Sequence, residues 1–189
     1  ISNEKIQKLR TELIGTLTLF CENLLESSDF FKEAPDSYEA ALRRANYLKD
    51  VIENNDCYRI FYHEGRAIAS EDTIQRIFRL TWYASPYDLN AEVNNGRGPA
   101  DYKVSFGSGD STIVEFKLAR SSLLKNNLKN QTEIYKKASK SISDIKVILC
   151  YASREVAKVE RILRSMGQLG AENVVIIDAS PKISASKVV

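Results

Sequence analysis

The stretch that decides the fold is Pro99-Ala100-Asp101-Tyr102-Lys103-Val104-Ser105-Phe106-Gly107-Ser108-Gly109-Asp110-Ser111-Thr112-Ile113-Val114-Glu115-Phe116-Lys117-Leu118. Tyr102, Val104 and Phe106 alternate with polar residues, and the segment from Thr112 to Leu118 returns as a second strand. Between them Gly107-Ser108-Gly109 suits a three-residue hairpin loop, with Gly109 at the left-handed position. Phe106 then pairs with Asp110, and Asp101 falls opposite Glu115. Strand parity puts Glu115 and Lys117 on one side, and Val114, Phe116 and Leu118 on the other. A bulge would move this register by one residue.

Upstream, Asn94-Asn95-Gly96-Arg97-Gly98-Pro99 is a cluster of turn formers, preceded by a strand over 87–93. Ser70-Glu71-Asp72 opens a helix, with Ile74, Ile77, Phe78 and Thr81 on one side. Earlier, Tyr58, Ile60 and Tyr62 alternate as a strand would, with a turn at Glu64-Gly65. The first third reads as two amphipathic helices. One carries Ile6, Leu9, Leu13, Leu17, Phe20 and Leu24; the other carries Tyr38, Ala41, Leu42, Ala45, Leu48 and Ile52 behind an Asp36/Glu39 capping box. Downstream come a helix over 121–141, a compact apolar strand over 145–151, a helix capped by Ser153, a strand over 174–177 and a loose tail. From Glu71 the order is helix, three strands, helix, strand, helix, strand, which implies an α/β fold with a central mixed sheet flanked by helices. The expected organisation is an N-terminal helical extension over 1–56 and a core over 57–189.

The chain has 189 residues, enough for one ordinary domain with an appendage. Three well-separated cysteines, Cys21, Cys57 and Cys150, have no metal-ligand spacing and read as buried free thiols in a reducing, cytoplasmic setting. A single histidine, His63, excludes a multi-histidine metal site. No run reaches the length of a membrane span, and the first residues lack the layout of a signal peptide. The missing initiator methionine raises the expectation of a longer parent chain with further domains. Residues 117–146 carry eight Lys/Arg against two acids, whereas the remainder carries 19 against 23. A basic segment beside an acidic remainder suits a nucleic-acid surface.

Two carboxylates facing each other across strands repel unless a cation compensates. A hard dication such as Mg²⁺ takes oxygen ligands, here Asp101, Glu115 and the backbone carbonyl of Phe116. Lys117 beside them would orient or help deprotonate a water and bind an anionic phosphate, an arrangement suited to phosphodiester hydrolysis.

Asp101, thirteen residues, then Glu115-Phe116-Lys117 resembles the signature of the PD-(D/E)XK superfamily, the restriction-endonuclease-like nucleases. Pro99 stands two residues before the aspartate instead of one. Gln131 and Tyr135 resemble the Gln-x-x-x-Tyr motif of the RecB-like branch. The resemblance covers about residues 70–177 and implies an α-β-β-β-α-β core, with an N-terminal helical pair added here. It also implies Mg²⁺, replaceable by Mn²⁺, and catalytic roles for Asp101, Glu115, Lys117, Gln131 and Tyr135. An upstream acid, a further catalytic residue and metal ligand, is expected from Glu71 or Glu92, Glu71 being preferred. Arg97, Lys103 and Arg120 are the expected phosphate contacts. The implied activity is a DNA endonuclease of restriction, antiviral defence or repair, with a homodimer as one assembly by which such enzymes cut both strands. The alternative is a catalytically silent nucleic-acid-binding or assembly module on the same fold.

Overall fold

The computed structural model describes residues 3–27, 36–94, 99–129 and 142–182. The chain divides into two compact units, Ile1–Ala34 and Pro35–Val189. The described residues of the first form one helix, α1 (Asn3–Ser27). Its stripe residues Ile6, Leu9, Leu13, Leu17 and Phe20 are exposed, as are Ile14 and Leu19.

The second unit is built on a five-stranded sheet in the order β3-β4-β5-β6-β7. Its strands are β3 (Asp88–Asn94), β4 (Pro99–Phe106), β5 (Asp110–Leu118), β6 (Ile142–Cys150) and β7 (Val174–Asp178). β3, β4 and β5 form an antiparallel meander, while β5, β6 and β7 run parallel. The mixed sheet flanked by helices expected from the pattern is therefore present. β5 is its hinge of direction, antiparallel to one neighbour and parallel to the other.

The hairpin register is as read: Phe106 opposes Asp110 and Tyr102 opposes Val114. The left-handed residue, however, is Gly107, with φ +68°, and not Gly109. The reversal is made at the first loop position, where only glycine takes positive φ without Cβ strain.

Helix α2 (Ser37–Asn54) corrects the expected boundary at residue 56. Ala40, Ala41, Ala45, Leu48 and Ile52 are at most 1% exposed, so the stripe is core and not a separate extension. α2 belongs to the sheet-containing unit, and the helical pair expected over 1–56 is split between the two units. Asp36 caps α2, its Oδ1 accepting the Glu39 N–H at 2.8 Å. Glu39 does not close the box but pairs with Arg43 at 2.8 Å. Asp110, at the start of β5, accepts the N–H and the hydroxyl of Ser37 at 2.7 and 2.6 Å. An acid at the positive end of α2 thus fastens helix to hairpin.

The segment after α2 is a 3₁₀ turn (Cys57–Phe61), not a strand. Its buried residues, Tyr58 and Phe61, are three apart, the period of a 3₁₀ helix. Only Tyr62–His63 (β1) and Arg66–Ala67 (β2) pair, around Glu64 and Gly65, both at positive φ as a type I′ turn requires.

α3 (Asp72–Leu80) lies on the same sheet face as α2. Its Phe78 ring stands 5.2 Å from Phe116 and 5.8 Å from Tyr102. The opposite face is covered by helical residues 124–129, designated α4, and by α5 (Ser153–Ser165). Leu124, Leu128, Val159 and Leu163 pack there with Ala119, Ile148 and Cys150. The start of α5 is bound by Glu155, whose Oε2 accepts the Tyr151 N–H at 2.7 Å, and not by Ser153. With both faces covered, β6 is buried continuously from Ile145 to Cys150, as a strand parallel to its neighbours should be. Of the cysteines only Cys150 is buried; Cys57 is half-buried and Cys21 lies exposed on α1. No described helix is long and apolar enough to cross a membrane.

Candidate active site

Three elements deliver carboxylates to one point at the C-terminal end of β5. Asp101 stands on β4 one step beyond the Tyr102–Val114 pair, and its Oδ2 accepts the Phe116 N–H at 2.6 Å. Glu115, 4% exposed, comes from β5 itself. Glu71 stands at the start of α3, where its Oε1 accepts the Leu118 N–H at 3.0 Å. The centre is filled by the Lys117 ammonium. Its Nζ donates to Glu115 Oε2 at 3.0 Å and to the Phe116 carbonyl at 2.8 Å. Asp101 Oδ2 lies 3.6 Å from it and Glu71 Oε2 lies 4.0 Å away.

Why the chain folds this way locally follows from strand parity. Phe116 sends its ring into the core against Phe78, so Glu115 and Lys117 must emerge on the opposite face. Its backbone N–H and carbonyl meanwhile bind Asp101 and Lys117. Between these four charged groups the formal sum is −2, with one ammonium shared among three carboxylates.

The electrostatics follow from that sharing. Burial alone would lower the Lys117 pKa, but the surrounding Glu115, Asp101 and Glu71 outweigh it and raise it above its ordinary value. Lys117 therefore enters the resting site as a cation able to orient water or phosphate, and not as a free base. For Glu71, burial is the largest influence and raises the pKa, more than Lys117 and the Leu118 N–H lower it. A raised pKa means that folding favours the protonated form. The stability so contributed is present below the ordinary value of 4.5 and is lost as pH rises through the raised one. Glu71→Gln keeps an acceptor for Leu118 and removes the ionised cost. It is expected to raise the melting temperature at pH 7.5 and to lose that advantage at pH 4, as read by thermal denaturation at both values.

A cavity of about 480 Å³ opens beside this centre, lined by Ser70, Glu71, Asp72, Gln75, Leu118 and Arg120 among others. Arg120 is held at its rim, the guanidinium 4.1 Å over the Tyr151 ring and 3.9 Å from Glu155. Lys103 stands two residues from Asp101 on the same strand, half-buried. Glu92 occupies β3 between Ala91 and Val93, which pair with Tyr102 and Ala100, so its register position is opposite Asp101; its side chain is not among those described. Arg97, Gln131 and Tyr135 lie outside the described residues.

The oxygens of Asp101, Glu115 and Phe116 are of the hard type that Mg²⁺ or Mn²⁺ takes. Among the described residues, no group of three or more His, Cys, Asp or Glu side chains is set to hold a metal ion. The Lys117 ammonium holds Glu115 and the Phe116 carbonyl, two of the expected ligands.

Sequence reasoning missed three charged groups nearby. Lys146, 1% exposed, aligns with Glu115 across the β5–β6 pair and is bound to Asp144. Its signal is a lysine inside an otherwise apolar run. Arg76 and Arg79 stand exposed on α3, marked by i, i+3 spacing on the side away from Ile74 and Phe78.

No curated protein and no solved structure matches this chain. A family model described as a domain of unknown function, DUF8371, matches residues 37–153. The match spans more than half the chain, from the first residue of α2 to the first of α5, and includes Glu71, Asp101, Glu115 and Lys117. The chain belongs to the DUF8371 family.

Proposed function

We propose that this protein is a metal-dependent nuclease with a PD-(D/E)XK-type core, acting on DNA. The observation that carries the reading is the convergence of Asp101, Glu115 and Glu71 on Lys117, beside a cleft rimmed by Arg120. Asp101, Glu115 and the Phe116 carbonyl would hold Mg²⁺, or Mn²⁺ in its place. When bound, the dication supplies an activated water and neutralises charge building on the phosphate. Lys117, once displaced from the carboxylates, orients the attacking water and contacts the scissile phosphate. Glu71 completes the acidic ring, and Arg120 and Lys103 hold flanking phosphates. Gln131 and Tyr135 belong to the same reading through the motif they resemble, as do Arg97 and a pairing of two chains for double-strand cutting. Restriction, antiviral defence and repair are the settings that the resemblance implies.

One observation favours the second reading, a silent nucleic-acid-binding or assembly module: the ammonium of Lys117 occupies the very oxygens a metal needs. The two separate in one assay. Supercoiled and linear DNA, and an RNA of matched length, are incubated with Mg²⁺ or Mn²⁺ and wild type or Asp101→Asn. Cleavage by wild type, reduced about 10²- to 10³-fold in the variant, is expected if Asp101 supports charge stabilisation in the transition state. No cutting of any substrate by wild type, or equal cutting by the variant, would sink the nuclease reading.

A further inference from the structure

A second concavity, about 590 Å³, lies at the far end of α3 and is lined by Arg76, Arg79, Leu80, Trp82, Tyr83 and Asp88 among others. Tyr83 is 92% exposed and Leu80 76% exposed. Trp82 and Tyr87, by contrast, are buried as wall material, stacked edge to face at 6.0 Å. Arg76 and Arg79 are exposed, and no carboxylate among the described residues pairs with either. Among the described lining residues, Asp88 is the one acid against these two cations. The indole N–H of Trp82 is buried without a hydrogen-bond partner among the described residues, a state that a ligand or water acceptor would relieve.

This groove and the catalytic cleft share a helix. Asp72 and Gln75 line the cleft, and one residue further on Arg76 and then Arg79 line the groove. Arg76 and Arg79 stand about one turn apart on α3, and Tyr83, in the turn that follows the helix, lines the same groove. The nine residues of α3 span about 14 Å at the helical rise, or about four nucleotides at stacked spacing.

We infer that the outer face of α3 is a track for an unpaired nucleic-acid strand leaving the catalytic cleft, with Arg76 and Arg79 on its phosphates and Tyr83 stacked on a base. This deepens the nuclease reading by assigning its substrate a single-stranded arm. Charge alone would serve a duplex equally well. The exposed tyrosine ring is what favours an unpaired base, because only an unstacked face is open to it.

The test is read in EDTA, so that cleavage plays no part. The full chain is titrated against a fluorescein-labelled single-stranded DNA dodecamer, the RNA of the same sequence, and the blunt DNA duplex, by anisotropy across a salt series. Arg76→Ala/Arg79→Ala is expected to weaken single-strand binding at least about tenfold and to lower the log–log salt slope by about 1.4, the share of two phosphates. Tyr83→Ala is expected to weaken it about fivefold to a hundredfold, with Tyr83→Phe close to wild type and the duplex little affected by either Tyr83 change. Circular dichroism of each variant confirms that the fold is kept, as expected for exposed positions. Single-strand affinity within twofold of wild type in the arginine variant, or in Tyr83→Ala, overturns the inference and leaves the face to another kind of partner. Unaltered binding with intact metal-dependent cleavage removes the track alone. Absent cleavage with the expected binding losses removes the nuclease reading and leaves the track standing.

Discussion

Lys117→Met is expected to abolish cleavage, to destabilise the protein in EDTA, and to make its melting temperature far more responsive to Mg²⁺ than that of wild type. The side chain is 11% exposed and stands within 4.0 Å of three carboxylates. Methionine keeps the length and removes the charge. Glu115, Asp101 and Glu71 then face one another without compensation, and breaking a buried ion pair on one side costs about 3–5 kcal/mol. Part of that loss is relieved by protonating one of the carboxylates, so the deficit should shrink as pH falls. Mg²⁺ offers the second relief. In the variant no ammonium competes for Glu115 and the Phe116 carbonyl, and any ion bound to the folded form adds stability in proportion to the logarithm of its concentration. Urea denaturation across a Mg²⁺ series, in wild type and variant, reads this without reference to activity. A variant that is weakened in EDTA and indifferent to Mg²⁺ would show that the carboxylates do not form a cation site.

The second large effect lies in the core behind the site. Phe78→Ala is expected to cost about 3–5 kcal/mol, the range for removing a buried aromatic ring. Phe78 is fully buried and lies 5.2 to 5.8 Å from the rings of Phe116, Trp82 and Tyr102. That loss is a large fraction of an ordinary domain's net stability of about 5–15 kcal/mol. The urea midpoint should fall with little change in slope. Phe78→Leu should cost far less, because most of the volume is kept. Its consequence for the site is separate from its effect on stability: α3 carries Glu71, and a helix seated less firmly on Phe116 places that carboxylate less firmly on Leu118. A loss below about 1 kcal/mol in the alanine variant would mean that α3 is not fixed through this ring.

These two residues also show what the amino-acid order makes legible. The juxtaposition of Asp101, Glu115 and Lys117 follows from period two and a glycine-bounded loop, because strand geometry leaves only parity and register to decide. The identity of the left-handed glycine did not follow, since both Gly107 and Gly109 can take positive φ and only the loop's closure selects one. Tyr58-Ile60-Tyr62 misled because a run this short fits period two and period three alike. The burial of Tyr58 and Phe61 resolves it. The boundary at residue 56 failed for a different reason. An apolar helical stripe announces that it will be buried, but not against what, and the alanines of α2 turn out to pack on the sheet. Glu71 was legible as a helix start and only the fold brings it to Leu118. Arg76, Arg79 and Lys146 were not legible as site neighbours, because sequence gives their helix or strand and not what lies across from it.

The burial of Cys150 has a practical consequence. Desolvation, reinforced by Glu155 and Asp178, pushes its thiol up to about 12, so at neutral pH it holds its proton and offers almost no thiolate to an electrophile. Cys21 is exposed and Cys57 partly so. Alkylating reagents therefore see the molecule as two early positions and one late one, and the late one reacts only when the β6 layer parts from the helices over it. The thiol of Cys150 is a native clock for the opening of the sheet, present without any engineered probe.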